Sequence, residues 1–134
     1  MNNIIFTDID GVLNPDFTRK WNKNCVNIYN KICKDFDLLP VIISTWRIRY
    51  NKLQLQKIFI DQGVKPEIYD YTPILYDSRD IEIKEWLKEN KVNKYIVIDD
   101  KNINISNFIH CKGWIGLTEY HYDEIKKILN YDKN

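Results

Sequence analysis

Residues 3–14 read NIIFTDIDGVLN, an apolar β-branched run that ends in two aspartates one residue apart, followed by a glycine. The apolar half is typical of a buried strand, and we predict a strand over Asn3–Asp8. Carboxylates at alternate positions point the same way only while the chain is extended, so Asp8 and Asp10 can flank one reacting centre as the strand ends. Gly11 then permits a sharp turn of the backbone.

Short apolar runs alternate with amphipathic stretches along the rest of the chain, a pattern that indicates a parallel α/β sheet. Further strands are predicted at Pro40–Ser44, Glu67–Tyr71, Lys94–Ile98 and Phe108–Cys111. Helices are predicted at Trp21–Phe36, at Tyr50–Gln62, from the N-cap candidates Asp77 and Ser78 to Asn90, and at Glu119–Leu129 with Thr118 as its cap. We therefore expect an α/β fold with a single doubly wound, Rossmann-like parallel sheet of about five strands flanked by helices. In this prediction residues 1–134 form one domain, and residues 131–134 fray.

The composition limits the kinds of partner. The chain has 134 residues, with 20 basic and 19 acidic side chains and a formal net charge of +1. Nucleic-acid binding by bulk positive charge is therefore disfavoured, and any contact with a nucleic acid must be local. The three cysteines have no CxxC spacing and do not indicate a disulfide framework. Because no signal-peptide pattern and no apolar run near the ~20 residues of a membrane span is present, we expect a cytoplasmic protein without a membrane partner.

Acidic residues gather where two of the predicted strands end. The first strand leads into Asp8 and Asp10, and the fourth into Asp99 and Asp100. In an open parallel sheet the ligand-binding edge lies beyond the carboxyl ends of the strands, so these carboxylates should meet there. Their mutual repulsion is costly unless a cation neutralises it. Oxygen ligands favour Mg²⁺, whereas zinc would require cysteine or histidine.

Together these motifs resemble those of the haloacid dehalogenase-like (HAD) superfamily of Mg²⁺-dependent phosphohydrolases. FTDIDGVLN resembles the first motif of that superfamily, VIIST the second and YIVIDD the fourth. RDIEIKEWL is similar to the helix that opens with the third, basic motif, and GLTEYHYDEIKKIL is similar to the ending of many members. The resemblance spans residues 4–129 and implies phosphatase chemistry with Mg²⁺ as the cofactor.

The resemblance implies a role for each acidic residue. Asp8 would be the nucleophile, forming an aspartyl-phosphate, and also a metal ligand. Asp10 would protonate the leaving oxygen and then activate water, with its backbone carbonyl on Mg²⁺. Asp99 and Asp100 would complete the Mg²⁺ shell, one of them directly and the other directly or through water.

The remaining site candidates are polar and basic. Ser44 or Thr45 would donate a hydrogen bond to a phosphoryl oxygen, with Ser44 favoured because it is the first polar residue after the strand. Arg79 would neutralise the developing phosphoryl charge, with Lys84 as its rival deeper in the helix. Gly11, Arg47 and Lys84 are the candidates for contact with the substrate.

The lengths of two segments bear on the substrate. Residues 14–39 and 48–78, where members of the superfamily carry cap domains, hold little more than one helix each and a short strand, so no sizeable cap is expected. An uncapped site suits a large substrate that itself excludes water. The STWR run and the RDIEIKEWL helix also resemble HAD domains of nucleic-acid repair proteins, including polynucleotide 3′-phosphatases.

That second resemblance implies a nucleic-acid 3′-phosphate end as the phosphorylated substrate. Arg47, Arg49 and the basic cluster of residues 19–34 would then grip the backbone, and Trp46 or Trp21 could stack a base. From the residues alone, packing of the tryptophans and a solvated helix face for the basic cluster are favoured. The alternatives are a small-molecule (nucleotide) phosphatase, a protein phosphatase and a catalytically silent HAD-fold binding module. A receiver-type signalling module is disfavoured by the order of the acidic motifs.

Overall fold

Five parallel strands form one sheet in the computed structural model, which describes residues 1–129. The strands are β1 (Asn2–Thr7), β2 (Leu38–Ile42), β3 (Asp70–Tyr71), β4 (Val92–Asp99) and β5 (Phe108–His110). Their order in the sheet is β3-β2-β1-β4-β5, and every neighbouring pair is parallel. The predicted α/β fold class, with a single doubly wound sheet flanked by helices, is confirmed. One domain over residues 1–134 stays a prediction, and the expected fraying of residues 131–134 lies outside the described residues.

Helices cover both faces of this sheet. They are α1 (Lys23–Asp35), α2 (Trp46–Arg49), α3 (Lys52–Asp61), α4 (Arg79–Glu89) and α5 (Glu119–Leu129). Alternate residues of each strand face opposite sides. Ile5 of β1 therefore packs in the larger core with residues of α1, α3 and α5, whereas its neighbour Phe6 packs in a smaller core with Ile83 and Trp86 of α4.

Most strand boundaries differ from the sequence prediction by one or two residues, and the short helix α2 was not predicted. Three further differences have a local cause or a defined cap. The stretch predicted as one helix over Tyr50–Gln62 begins later, because the side chain of Asn51 accepts the N–H of Gln54 and the Gln54 side chain accepts the N–H of Asn51, a complete capping box. The third strand is shorter than predicted because it lies at the sheet edge and pairs with β2 only at Asp70 and Tyr71. The first helix starts at Lys23, after the N-cap Asn22.

Two helix ends follow the sequence signals closely. After α3, Gly63 has a φ of +86°, and the N–H groups of Gly63 and Val64 close the helix on the carbonyls of Ile60 and Phe59. This is the Schellman arrangement that favours glycine. Before α5, the imidazole Nδ1 of His121 accepts the N–H of Thr118 at 2.9 Å. His121 thus makes the bond that glutamate or glutamine makes in a capping box.

No further helix or strand lies between β1 and α1, or between β3 and α4, in the described part of the chain. The carboxyl edge of the sheet is therefore bordered by loops and helix starts and carries no cap. Among residues 1–129, no helix is long and apolar enough to cross a membrane.

Candidate active site

Three carboxylates meet at the carboxyl edge of the sheet. β1 and β4 are parallel neighbours in a register that pairs Thr7 with Ile98, so the residues after these two positions, Asp8 and Asp99, lie side by side. One oxygen from each of Asp8, Asp99 and Asp100 lies within 4.8 Å of the others. Asp8 is 3% exposed and Asp99 is fully buried. We call these three residues the acidic cluster.

Arg79 is the cation closest to the acidic cluster. It is the first residue of α4, and its Nη1 lies 2.5 Å from Asp99 Oδ2 and 3.3 Å from Asp8 Oδ1. Burial acts to lower the pKa of Arg79, but the carboxylates of Asp8 and Asp99 raise it overall, so the guanidinium remains charged. Arg79 therefore offsets part of the negative charge of the cluster.

The charge of the cluster is not balanced by this one guanidinium. Burial raises the pKa of the Asp8 carboxyl well above its ordinary value, and Asp99 raises it further, while Arg79 lowers it in part. Burial also raises the pKa of Asp99. A hard divalent cation bound by these oxygens would favour the ionised carboxylates. The all-oxygen donor set, on two neighbouring strand ends, suits Mg²⁺ better than zinc.

Gly11 and Gly113 hold the third carboxylate in place. Gly11 has a φ of +82°, and a Cβ there would lie 2.4 Å from Asp100 Cγ. A Cβ on Gly113 would lie 3.0 Å from Asp100 Oδ2. The Asp100 side chain is thus bounded by two glycine backbones, and Gly11 lies against the acidic cluster, whereas the sequence suggested that it contacts the substrate. Sequence reasoning missed Gly113, since only the folded chain brings it to Asp100.

Asp10 has hydrogen-bond partners of its own and is not part of the acidic cluster. Its Oδ2 accepts the indole N–H of Trp46 at 3.0 Å, and its Oδ1 accepts from the Asn14 amide at 3.4 Å. A metal contact from Asp10 would therefore come from its backbone carbonyl, as the resemblance implied. The carboxylate lies two residues beyond Asp8 and is half-buried.

Ser44 follows β2 at the edge where the acidic cluster lies. The N–H of Ile43 donates to the carbonyl of Thr7 at 3.1 Å, which keeps the ends of β2 and β1 together. Ser44 is buried, and its Oγ accepts the N–H of Trp46 at 3.2 Å, which leaves the hydroxyl proton free to be donated. Thr45 is exposed. Of these two candidates, Ser44 has the more defined position.

A comparison with protein-family models supplies the family. The model described as the HAD domain in Swiss Army Knife RNA repair proteins matches residues 4–122. The chain belongs to this family of HAD domains. No curated protein and no solved structure matches it. The family supports phosphohydrolase chemistry in general, and the matched residues include the whole acidic cluster together with Asp10, Ser44 and Arg79.

Arg47 has a different role in the HAD domain from the substrate contact expected from the sequence. It is buried, and Nη2 forms a 2.8 Å ion pair with Glu82 of α4. The other guanidinium N–H groups donate to four backbone carbonyls, those of Ile43, Ser44, Thr72 and Pro73. All five N–H groups of this side chain therefore have protein partners. Arg47 joins β2, α4 and the loop after β3, and it has no donor left for a substrate.

Lys84 and the tryptophans also lie apart from the acidic cluster. Lys84 is more than half exposed, and its ion-pair partner is Asp80 at 4.0 Å, whereas Arg79 contacts the acidic cluster. Trp21 is buried and packs edge to face against Trp46 and Phe59. The two tryptophans thus pack against each other next to Asp10, to which Trp46 donates a hydrogen bond. This agrees with the packing role that the sequence favoured over base stacking.

Proposed function

We propose that this HAD domain is a Mg²⁺-dependent phosphomonoesterase that acts through an aspartyl-phosphate on Asp8, with nucleic-acid 3′-phosphate ends as its substrate. The observation that supports the chemistry is the acidic cluster with Arg79 beside it, since three carboxylates and a cation at one point of the sheet edge could serve as nucleophile, metal ligands and charge partner. The nucleic-acid part of the proposal is supported by the description of the matching family, which concerns RNA repair proteins.

Each residue of the site has a defined step in this proposal. An Asp8 oxygen attacks the phosphorus, and the bond from phosphorus to the ester oxygen breaks as Asp10 donates its proton to that oxygen. Water then attacks the phosphorus of the aspartyl-phosphate, with Asp10 taking its proton, and inorganic phosphate leaves. Ser44 and Arg79 donate hydrogen bonds to the phosphoryl oxygens throughout. Asp8, Asp99 and Asp100 would hold Mg²⁺, which supplies positive charge against the phosphoryl group and the carboxylates.

Phosphate release tests this proposal. The substrates are RNA and DNA oligonucleotides with 3′-phosphates, p-nitrophenyl phosphate, a nucleoside monophosphate and a phosphopeptide, each with Mg²⁺ or with EDTA. We expect Mg²⁺-dependent release that is fastest for the oligonucleotides and is lost in Asp8→Asn. Asp123→Asn, the same change at an exposed aspartate of α5, is the matched control and should retain activity.

The outcomes separate the alternatives. Faster release from nucleoside monophosphates or the phosphopeptide would replace the nucleic-acid substrate with a metabolite or a protein. Release that survives Asp8→Asn would contradict the mechanism. No release from any of these esters would indicate that the chain is a catalytically silent HAD-fold binding module.

A further inference from the structure

A cleft of about 390 Å³ opens beside the acidic cluster on the α4 face of the sheet. It lies between α2, the loop 72–78, the start of α4 and the loop after β4. Thr45, next to Ser44, lines one side, and Arg79 lines the other. Because Arg79 also contacts Asp8, a molecule whose phosphate reaches Asp8 can place its adjoining group in this cleft.

The cleft presents an aromatic ring that the fold does not use. Tyr76 is 90% exposed, and its side chain makes no hydrogen bond, ion pair or ring contact with residues 1–129. Its backbone has a φ of +54°, a left-handed conformation that costs a non-glycine residue about 1–2 kcal/mol. A tyrosine is therefore held where neither packing nor local conformation favours it. Ile48 and Ile74 add exposed apolar surface to the same cleft.

The polar groups of the cleft indicate what occupies it. Asp77 and Asp80 line it together with one exposed cation, Lys101, so the charge beyond Arg79 is negative on balance and disfavours a second phosphate group there. Asn102 adds an exposed amide, which can pair with the edge of a base or with a ribose. A flat ring with hydrogen-bonding edges, attached to a phosphate, matches this set of groups.

We propose that this cleft binds the terminal nucleoside of a 3′-phosphorylated strand, with the base stacked on Tyr76 and its 3′-phosphate at Asp8 and Arg79. This inference rests on the proposed function and adds to it the place where the substrate is recognised. Stacking on an aromatic side chain tolerates all bases, so the subsite requires a base and is indifferent to which one.

Binding to Asp8→Asn, which does not turn the substrate over, tests the subsite without relying on catalysis. The probe is a fluorescein-labelled RNA oligonucleotide with a 3′-phosphate, measured by anisotropy with Mg²⁺, next to an otherwise identical RNA whose terminal residue is abasic. The Asp8→Asn protein is the parent in this experiment. A second substitution in it, Tyr76→Asn, removes the aromatic ring, and asparagine tolerates the left-handed backbone at this position. We expect this change to weaken binding of the base-bearing RNA about 5- to 100-fold and to leave binding of the abasic RNA unchanged.

Two further variants serve as controls. Tyr76→Phe keeps the ring and should bind as the parent protein does. Tyr120→Asn makes the same change at an exposed tyrosine of α5, outside the cleft, and should have no effect.

Equal affinity of the parent and Tyr76→Asn for the base-bearing RNA would overturn the subsite. So would a parent that binds neither RNA, or one that binds a phosphopeptide more tightly in a Tyr76-dependent way. Failure of the proposed function is seen separately, as an absence of phosphate release by the wild-type chain from any ester.

Discussion

Trp46 is the residue that fixes the orientation of Asp10. Its indole N–H donates to Asp10 Oδ2 at 3.0 Å, shorter than the 3.4 Å bond from Asn14 to the other oxygen. The ring is itself held by edge-to-face packing on Trp21, with centroids 5.5 Å apart, and by a tilted contact with Tyr50 at 5.7 Å. A proton donor is effective only within hydrogen-bond reach of the leaving oxygen, so in the proposed mechanism Trp46, which orients the Asp10 carboxyl, is a positioning residue.

Trp46→Phe removes the indole N–H and keeps an aromatic ring. We expect kcat for a 3′-phosphorylated oligonucleotide to fall about 10- to 100-fold, because its alkoxide leaving group needs the proton of Asp10. The fall for p-nitrophenyl phosphate should be smaller, since nitrophenolate leaves with little protonation. Trp21→Phe is the control, because it alters the packing of the two tryptophans and leaves the hydrogen bond from Trp46 to Asp10 in place. If both variants affect the two substrates alike, Trp46 acts only through packing.

Gly11 and Gly63 have similar positive φ angles, so substituting each of them distinguishes an effect on the acidic cluster from an effect of backbone strain alone. Gly11 and Gly63 both have positive φ, but a Cβ on Gly11 would overlap Asp100, whereas one on Gly63 would meet only Val26 at 3.9 Å. Gly63→Ala should lower the free energy of unfolding by about 1–2 kcal/mol and leave activity intact. Gly11→Ala should in addition lower kcat about 100-fold, by displacing Asp100. Denaturant unfolding and phosphatase assays on both variants check this, and full activity in Gly11→Ala would contradict the role given to Asp100.

The ends of helices and strands carry the residues of the site. Some of these ends can be predicted from the sequence, and others depend on contacts that form only on folding. The strand ends that carry Asp8 and Asp99 could be predicted, because buried parallel strands read as continuous apolar runs. The start of α3 is also encoded locally, because Asn51 and Gln54 have the spacing of a capping box, a signal that the apolar periodicity of residues 50–62 does not contain. The position of Arg47 could not be predicted, since its partners Thr72, Pro73 and Glu82 lie far along the chain and are brought to it only by folding.

The start of α5 gives the protein a pH-dependent element. His121 accepts the N–H of Thr118 through Nδ1, so Nε2 carries the proton that is donated to the carbonyl of His110. Burial lowers the pKa of His121, and protonation of Nδ1 would remove the acceptor. Below the ordinary histidine pKa of about 6.5 the unfolded chain binds the proton more readily than the folded one. This contribution to stability is therefore present at neutral pH and above, and is lost as the pH falls.

His121→Gln supplies the residue usual at this capping position without a titrating group. We expect wild-type stability to decline between about pH 7 and pH 5, and the variant to decline less over the same range. Urea midpoints across this range measure the difference, with the second histidine, His110, unchanged in both proteins. Parallel curves would show that His121 contributes nothing to the decline.

At the scale of the whole molecule, the strand order explains why distant motifs make one site. β1 lies at the centre of the sheet, with β2 on one side and β4 on the other. The residue after the central strand, Asp8, thereby lies between Asp99 at the end of β4 and Ile43 after β2, and Ser44 follows Ile43 at the same edge. The order of the motifs along the chain suggested this convergence. Sequence did not indicate the cleft beside it, because Tyr76 lies in a loop without a periodic pattern.

The proposed mechanism requires Asp8 to become phosphorylated during turnover, and this intermediate can be trapped. Asp10→Asn should slow the attack of water on the aspartyl-phosphate, so the intermediate accumulates with p-nitrophenyl phosphate and Mg²⁺. After an acid quench, peptide mass mapping should show one phosphoryl group on Asp8 that hydroxylamine removes, and none in the Asp8→Asn protein. Turnover of the substrate with no phosphoryl group on Asp8, or with the group on another residue, would contradict the account.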